Sequence, residues 1–396
     1  MSAEPNPPPL ADPGWLDASE LSERARAWAS TMRSLAAGEG HDRVEQAHAD
    51  TRAHLGPTGV RPVLRDEREA EEASSLAPGA TRAAGAGRRA VEEPPDPLRT
   101  CFERDRDRIL HSTAYRRLSG KTQVFVFPTD HQRTRLTHAL EVAQVARSVA
   151  QSVRANVALT EAIALGHDCG HGPGGHASED ALSPFVDGGY DHAVWGADVV
   201  LAPLNLCTET LDGIRNHSWS RPAPATVEGE IVSWADRIAY VCHDFEDAVS
   251  SGIVAPQDLP PLVAERCGTR RSQQLNAFIR ALVATAARTG RVGMDAETAE
   301  ALAAFRRFNY ERIYLRPESR DQARLVHEVI SALVERYAAE PTLVPASHAS
   351  ADLLAHSTAS YRAAVVYVGG MTDRFAFDQA AALLGWPAER IPRGVR

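Results

Sequence analysis

The chain has 396 residues, 43% of them hydrophobic and 24% charged, with a formal net charge of −9, which fits a globular protein with one large core or two to three ordinary domains. The acidic surplus advertises neither a nucleic-acid nor an anionic-membrane surface, while leaving room for a local basic pocket. No apolar run approaches the ~20 residues that a bilayer-spanning helix needs, and the opening MSAEPNPPPLADPG lacks a basic start followed by an apolar stretch, so a cytoplasmic protein without a secretory signal is expected.

Residues 1–13 are proline-rich and are expected to be disordered. Residues 15–56 read as one or two helices, with Trp15, Leu16, Leu21, Trp28, Met32 and Leu35 as the apolar spots. Residues 57–98 are rich in Ala, Gly, Pro, Arg and Glu and lack large hydrophobes, the texture of loops and a linker. From Arg99 onward helical patterns follow one another. LTHALEVAQVARSVAQSV carries an apolar stripe at 142, 145, 146, 149 and 153. LTEAIALGHD reads as a second buried helix, ending in Gly166 to Gly170. EGEIVSWADRIAYVCHDFEDAV reads as a third, with Ile231, Trp234, Ala235, Ile238, Cys242, Phe245 and Val249 inward. AETAEALAAFRRFNYERIYL and SRDQARLVHEVISALVERYA add two more. TQVFVF (122–127) is the one strand-like piece, or an extended loop. The fold class is all-α, divided into an N-terminal extension (1–65), a connecting segment (66–98), a core (99–250) and a C-terminal helical region (251–396).

The five cysteines (Cys101, Cys169, Cys207, Cys242, Cys267) are widely spaced, odd in number and free of C-x-x-C pairing, which favours reduced thiols over a disulfide framework. Lys121 is the only lysine. A general arginine bias of the coding sequence accounts for this, or the position wants a compact ammonium rather than a guanidinium fork. SGKT (119–122) is not a phosphate-binding P-loop, because Tyr115 stands where that motif needs glycine and no strand precedes it.

Three polar features interrupt the apolar helices. His138 sits early on one, the pair His167-Asp168 ends another, and Asp236 lies in the middle of a third. Buried polar groups are costly unless paired or ligated. Each alone has a plain reading as a satisfied core or surface group; in the order H, HD, D across three helices they make a candidate set of nitrogen and oxygen metal ligands.

This order resembles the HD-domain phosphohydrolases. The flanking blocks RTCFERDRDRILHSTAYRRLSGKTQVF, RTRLTHALEVAQVAR, EAIALGHDCGHGPGGHASEDAL, NLCTETLDGIRNH, EGEIVSWADRIAYVCHDFEDA and GGMTDRFA look like the bacterial dGTPase-type deoxynucleoside-triphosphate triphosphohydrolases, from about Arg68 to Ala376. The resemblance implies an HD-domain helical fold with additional N- and C-terminal helices, and hydrolysis of a dNTP to the deoxynucleoside and inorganic triphosphate. It implies His138, His167, Asp168 and Asp236 as metal ligands. Two imidazoles with two carboxylates suit Mn²⁺ or Fe²⁺, and Mg²⁺ less well.

The same resemblance implies His176 and Glu179 as the catalytic pair, and their i, i+3 spacing lets the carboxylate orient the imidazole if a helix starts near His176. Pro173 and its flanking glycines fit a sharp turn just before it. His171 corresponds to a histidine lining the phosphate region. Arg135 shares the helical face of His138 and is expected at a phosphate. Arg237 follows the ligand Asp236, where the family often carries a basic residue. Tyr240 and Asp244 stack below Asp236 on one face and correspond to sugar and phosphate-site groups. Gln123 corresponds to a glutamine that reads the sugar 3′-hydroxyl. Lys121 is a triphosphate contact or a surface lysine.

A homo-oligomer is implied, with an allosteric nucleotide or single-stranded DNA as an additional partner. The sequence departs from the family where Gly174 replaces a frequent phenylalanine, Cys169 a leucine and Ala193 an asparagine. Two other classes stay open: another HD phosphohydrolase such as a 5′-nucleotidase or phosphodiesterase, and a nucleotide-sensing or DNA-binding regulator.

Overall fold

Val142, Val145, Ala146 and Val149 are all buried, and the helix that carries them organises the protein. A computed structural model describes residues 22–29, 35–37, 44–48, 55–56, 59–126, 132–348 and 352–392. The chain divides into Met1–Pro62 and Val63–Arg396. In the first unit, helix α1 (Glu23–Ala29) precedes strands β1 (Leu35–Ala37) and β2 (Val44–Gln46), which pair antiparallel with Ala36 opposite Glu45. The expected helical reading of 15–56 is therefore corrected in its second half, where residues 35–37 and 44–46 pair as antiparallel strands. Trp15, Leu16, Leu21 and Met32, like residues 1–13, lie outside the described residues, and Trp28 is exposed.

Among the described residues of the second unit, the regular structure is helical, joined by turns and irregular chain. Its helices are α2 (Arg65–Ser75), α3 (Cys101–His111), α4 (Thr113–Arg117), α5 (Arg135–Val153), α6 (Val157–Gly166), α7 (His176–Leu182), α8 (His192–Trp195) and α9 (Thr208–Arg215). They continue through α10 (Val227–Ser250), α11 (Pro261–Cys267), α12 (Arg271–Thr289), α13 (Ala296–Asn309), α14 (Pro317–Ala339), α15 (Thr358–Gly369) and α16 (Asp373–Leu384). TQVFVF forms no strand. Only Thr122 makes an isolated bridge, to Thr134, while Phe125 and Val126 are buried as irregular chain and Phe127 lies outside the described residues.

Capping residues set the helix starts. Asn156 accepts from Leu159 N at 3.2 Å to open α6, and Thr226 accepts from Gly229 N at 3.1 Å to open α10. Arg154 takes the left-handed conformation (φ 58°) to end α5.

One hydrophobic core gathers around α3, α5, α6, α10, α12 and α13, a second around α7, α14, α15 and α16. Fully buried side chains such as Leu159, Ile163 and Ile238 each contribute about 1.5–3 kcal/mol over leaving them in water.

The connecting segment is more ordered than its composition suggests. α2 buries none of its side chains and stands on the helix propensity of its Arg, Glu and Ala residues and on polar ties. Glu72 accepts from Ala83 N at 2.7 Å and Asn156 Nδ2 at 3.2 Å. Thr81 binds buried Glu228 through both its N (3.1 Å) and its hydroxyl (2.8 Å), and Arg89 pairs with buried Asp105 at 2.7 Å. The five cysteines are free thiols, as expected, and among the described residues no helix is long and apolar enough to cross a membrane.

Candidate active site

α5 packs against α6 and α10, and α10 against α6, so three polar residues that are far apart in sequence meet. His138 Nε2 lies 3.0 Å from Asp236 Oδ1, and His167 Nε2 lies 3.8 Å from the same oxygen and 3.5 Å from Asp168 Oδ1. His138 Nε2 and Asp168 Oδ2 are 4.0 Å apart. Six-coordinate donors at about 2.1 Å from one ion stand about 3 Å apart as neighbours and about 4 Å as opposites, so these spacings fit a single divalent cation. His167 Nδ1 lies 2.7 Å from Ala164 O and donates to it, leaving the lone pair on Nε2, a buried atom with no hydrogen-bond partner. Burial pushes both carboxyls up, but Arg135 beside Asp168 and His138 on Asp236 outweigh it and hold both well below the ordinary carboxylate value.

The cluster opens on a cavity of about 560 Å³, whose wall includes Gln123, Arg135, His138, Asp168, His171, His176, Asp236, Arg237, Tyr240 and Asp244. Arg135 is 1% exposed and gives Nη1 to Asp168 Oδ2 at 2.7 Å, while its Nε and Nη2 have no partner. His171 Nε2 lies 3.2 Å from Asp168 Oδ1. His176 is the first residue of α7 and open to the cavity; desolvation by the surrounding wall and the charge of Arg135 push its pKa down to about 4. On the far wall the Arg237 guanidinium lies 3.4 Å over the Trp219 ring, and Arg306 Nε donates to Tyr240 Oη at 2.9 Å. Gln123 Oε1 is buried and without a partner.

Three expectations change. Lys121 is neither at the surface nor on the cavity wall. It is 3% exposed, and its ammonium donates to the carbonyl oxygens of His171 and Gly369. Glu179 does not hydrogen-bond His176; its Oε1 accepts from His192 N at 3.0 Å and pairs with His192 Nδ1. Asp244 reaches the wall already committed, paired with Arg133 and accepting from the Tyr314 hydroxyl. Glu179 and Asp244 do lie on helices, and in all three cases the partner came from another element.

Two further histidines stand beside the four candidate ligands, and each falls in a group that could hold a metal ion: His217 with His167 and Asp168, and His192 with Asp168 and His171. His192 stacks on His171 with ring centroids 3.7 Å apart, and its Nε2 faces His217 Nε2 at 3.3 Å. His217 Nδ1 contacts Ile214 O at 2.8 Å. With both Nδ1 atoms donating, two neutral rings would set lone pair against lone pair, so a proton between them is favoured. Burial lowers both rings, but the Glu179 carboxylate raises His192 above its ordinary value, whereas His217 is pushed down to about 4. The two shifts favour the proton on His192 rather than on His217. The sequence signal was slight: a histidine opening α8 and one just past α9, 25 residues apart.

The Glu179–His192 pair predicts a pH optimum of stability. Glu179 is lowered to about 2 from 4.5, so its contribution is present above pH 4.5 and lost towards pH 2. His192 is raised above 6.5, so its contribution is present below pH 6.5 and lost as pH rises through the raised value. Both act between. In metal-free protein, Glu179→Gln is expected to cost on the order of 2 kcal/mol in that window and far less outside it, read by denaturant unfolding across pH.

The cluster lies within residues 135–241, which match the HD domain family, and residues 292–382 match the Phosphohydrolase-associated domain. The chain is 38% identical over 320 residues to a deoxyguanosinetriphosphate triphosphohydrolase-like protein of Caldanaerobacter subterraneus subsp. tengcongensis, covering 79% of this chain and 93% of the relative. The chain belongs to this deoxyguanosinetriphosphate triphosphohydrolase-like family. Other members are similar too: one from Clostridium perfringens strain SM101 (37% over 309 residues, 74% of this chain and 89% of the relative) and one from Deinococcus radiodurans (35% over 377 residues, 81% and 99%).

Within this family the chain is an HD-type phosphohydrolase whose histidine–aspartate cluster suits a metal. Gly174, where the resemblance implied a frequent phenylalanine, has φ +80°, and a Cβ there would lie 2.4 Å from Val326 Cγ1. α14 thus fills the space that a side chain would need.

Proposed function

We propose that the chain hydrolyses dNTPs, dGTP among them, to the deoxynucleoside and inorganic triphosphate, with a divalent cation held by His138, His167, Asp168 and Asp236. The observation that carries this reading is one cavity whose wall brings together His138, Asp168 and Asp236 of that set with Arg135 and the imidazole of His176, with Nε2 of His167 buried and unpartnered behind it. The names of the relatives support the substrate. The mixed nitrogen and oxygen donors favour Mn²⁺ or Fe²⁺ over Mg²⁺. When bound, the cation supplies Lewis-acid polarisation of a phosphate oxygen.

The protein's own groups do the rest. Arg135 uses Nε and Nη2 on phosphate oxygens, and His171 borders the same region. His176 is neutral until the negative charge of a triphosphate enters, which raises its pKa and readies it to give a proton to the leaving 5′-oxygen. The Trp219–Arg237 stack and Tyr240 offer a flat face with hydrogen-bonding edges at the base and sugar end, and Gln123 Oε1 offers an acceptor to a sugar hydroxyl.

The test is a panel of the four dNTPs and four NTPs with Mn²⁺ and with Mg²⁺, reading the released phosphate species. Inorganic triphosphate with deoxynucleoside is expected. Orthophosphate or pyrophosphate as the product would replace this reading with that of another HD phosphohydrolase.

A further inference from the structure

The segment from His171 to His176 brings two histidines to the cavity, and it is gripped from behind. Asp373 Oδ1 accepts from Gly174 N at 2.8 Å, and Asp373 Oδ2 accepts from Thr122 N at 2.9 Å and Thr122 Oγ1 at 2.5 Å. Lys121 Nζ donates to His171 O and, at 3.0 Å, to Gly369 O. Gly369 ends α15 and Asp373 begins α16. The corner between these two helices therefore holds both the chain at 121–122 and the loop at 171–174. Lys121 and Asp373 are each 3% exposed.

The lone lysine now has a physical reason. Its stem is buried and its head meets two carbonyl oxygens. An ammonium has three donors, whereas a guanidinium has five in a rigid fork and would leave most of them unpaired in this space. Burial pushes the Lys121 pKa down to about 8, against the opposing charge of Asp373. Asp373 is matched just as closely, since its carboxylate accepts from three donors. An asparagine in its place would turn an NH₂ group onto one of them.

The gripped loop bears directly on cavity groups. A Cβ added to Gly175 would lie 2.8 Å from Arg135 Nη2 and 3.1 Å from Thr122 O, so loop, arginine and Thr122 are packed as one stack. Thr122 is followed by Gln123 on the wall.

The geometry points to Lys121 and Asp373 as positioning residues: a two-point latch through which the α15–α16 corner sets the His171–His176 loop, and with it His176 and Arg135, against the metal cluster. The kinetic consequence rests on the hydrolase reading above; the latch itself does not. A displacement of about 1 Å at reacting groups costs about 10²-fold in rate, so releasing either point is expected to lower kcat and leave KM nearly unchanged.

Because Lys121 is the only lysine, an amine-acylating reagent read by peptide mass spectrometry reports the latch at one residue of the full chain. In the wild type, Lys121 is expected to label far more slowly than the N-terminal amine. In Asp373→Asn, labelling is expected to rise about tenfold or more, hydrogen exchange at 171–175 to accelerate with it, and kcat on dGTP to fall about 10- to 100-fold with KM within about threefold. Lys121→Arg is expected to lose as much kcat as Lys121→Met, because charge without the compact head does not serve.

Unchanged labelling or unchanged kcat in Asp373→Asn, or wild-type kcat in Lys121→Arg, overturns the latch. If Asp373→Asn does not fold, exchange at 171–175 in Lys121→Met decides: faster exchange supports the latch and wild-type exchange refutes it. If the wild type turns over no nucleotide, the hydrolase reading fails while labelling and exchange still decide the latch.

Discussion

Replacing His167 and Asp168 together by alanine is expected to lower dNTP turnover by about 10³-fold or more and to abolish tight Mn²⁺ binding, because half of the proposed four-residue ligand set is removed. Triphosphate release and equilibrium dialysis with Mn²⁺ read the two effects separately. His167 has its Nε2 buried without a partner, so His167→Ala alone breaks no hydrogen bond at that atom and serves as the cleaner fold control. Asp168 is different: it pairs with Arg135 at 2.7 Å, and its loss leaves a guanidinium that is 1% exposed without its carboxylate. The double variant should therefore also melt earlier than His167→Ala. Full turnover in the double variant would exclude this cavity as the active site.

Arg133→Met is expected to cause the largest loss of stability, about 3–5 kcal/mol at neutral pH. Arg133 is 8% exposed and binds three carboxylates: Asp247 through Nε at 2.9 Å, Glu141 through Nη1 at 3.1 Å, and Asp244 through Nη2. Without it, Asp244 stays buried with only the Tyr314 hydroxyl as a partner. Burial already pushes the Asp244 carboxyl above its ordinary value despite Arg133, so in the variant it takes up a proton more readily still. The penalty should accordingly shrink as pH is lowered, a trend that urea unfolding at several pH values measures. A loss below about 1 kcal/mol at neutral pH would mean that water reaches the carboxylates and that the pair contributes as a surface bridge does.

The helices that carry the candidate ligands were legible because their information is local. The stripe of Val142, Val145, Ala146 and Val149 defines α5 and puts His138 on its inner side, and LTEAIALGHD closes α6 at the HD pair. Asp236, Tyr240 and Asp244, four residues apart, do line one wall. The Gly-Pro-Gly-Gly run does deliver a helix starting at His176. Where apolar spacing was weak, local reading failed. α2 has no buried side chain to announce it, and β1–β2 replaced an expected helix with six paired residues.

The sequence by itself determined the all-α class, the helices that bear the candidate ligands and the candidate ligand set, since periodicity and capping act over three or four residues. Only the tertiary structure decided the partners of the polar groups. Glu179 met His192 rather than His176, Asp244 was taken by Arg133, and Lys121 turned away from the cavity to carbonyls 50 and 248 residues along the chain. A buried polar atom must find a partner, and which one it finds depends on how helices cross, a relation that no local spacing encodes.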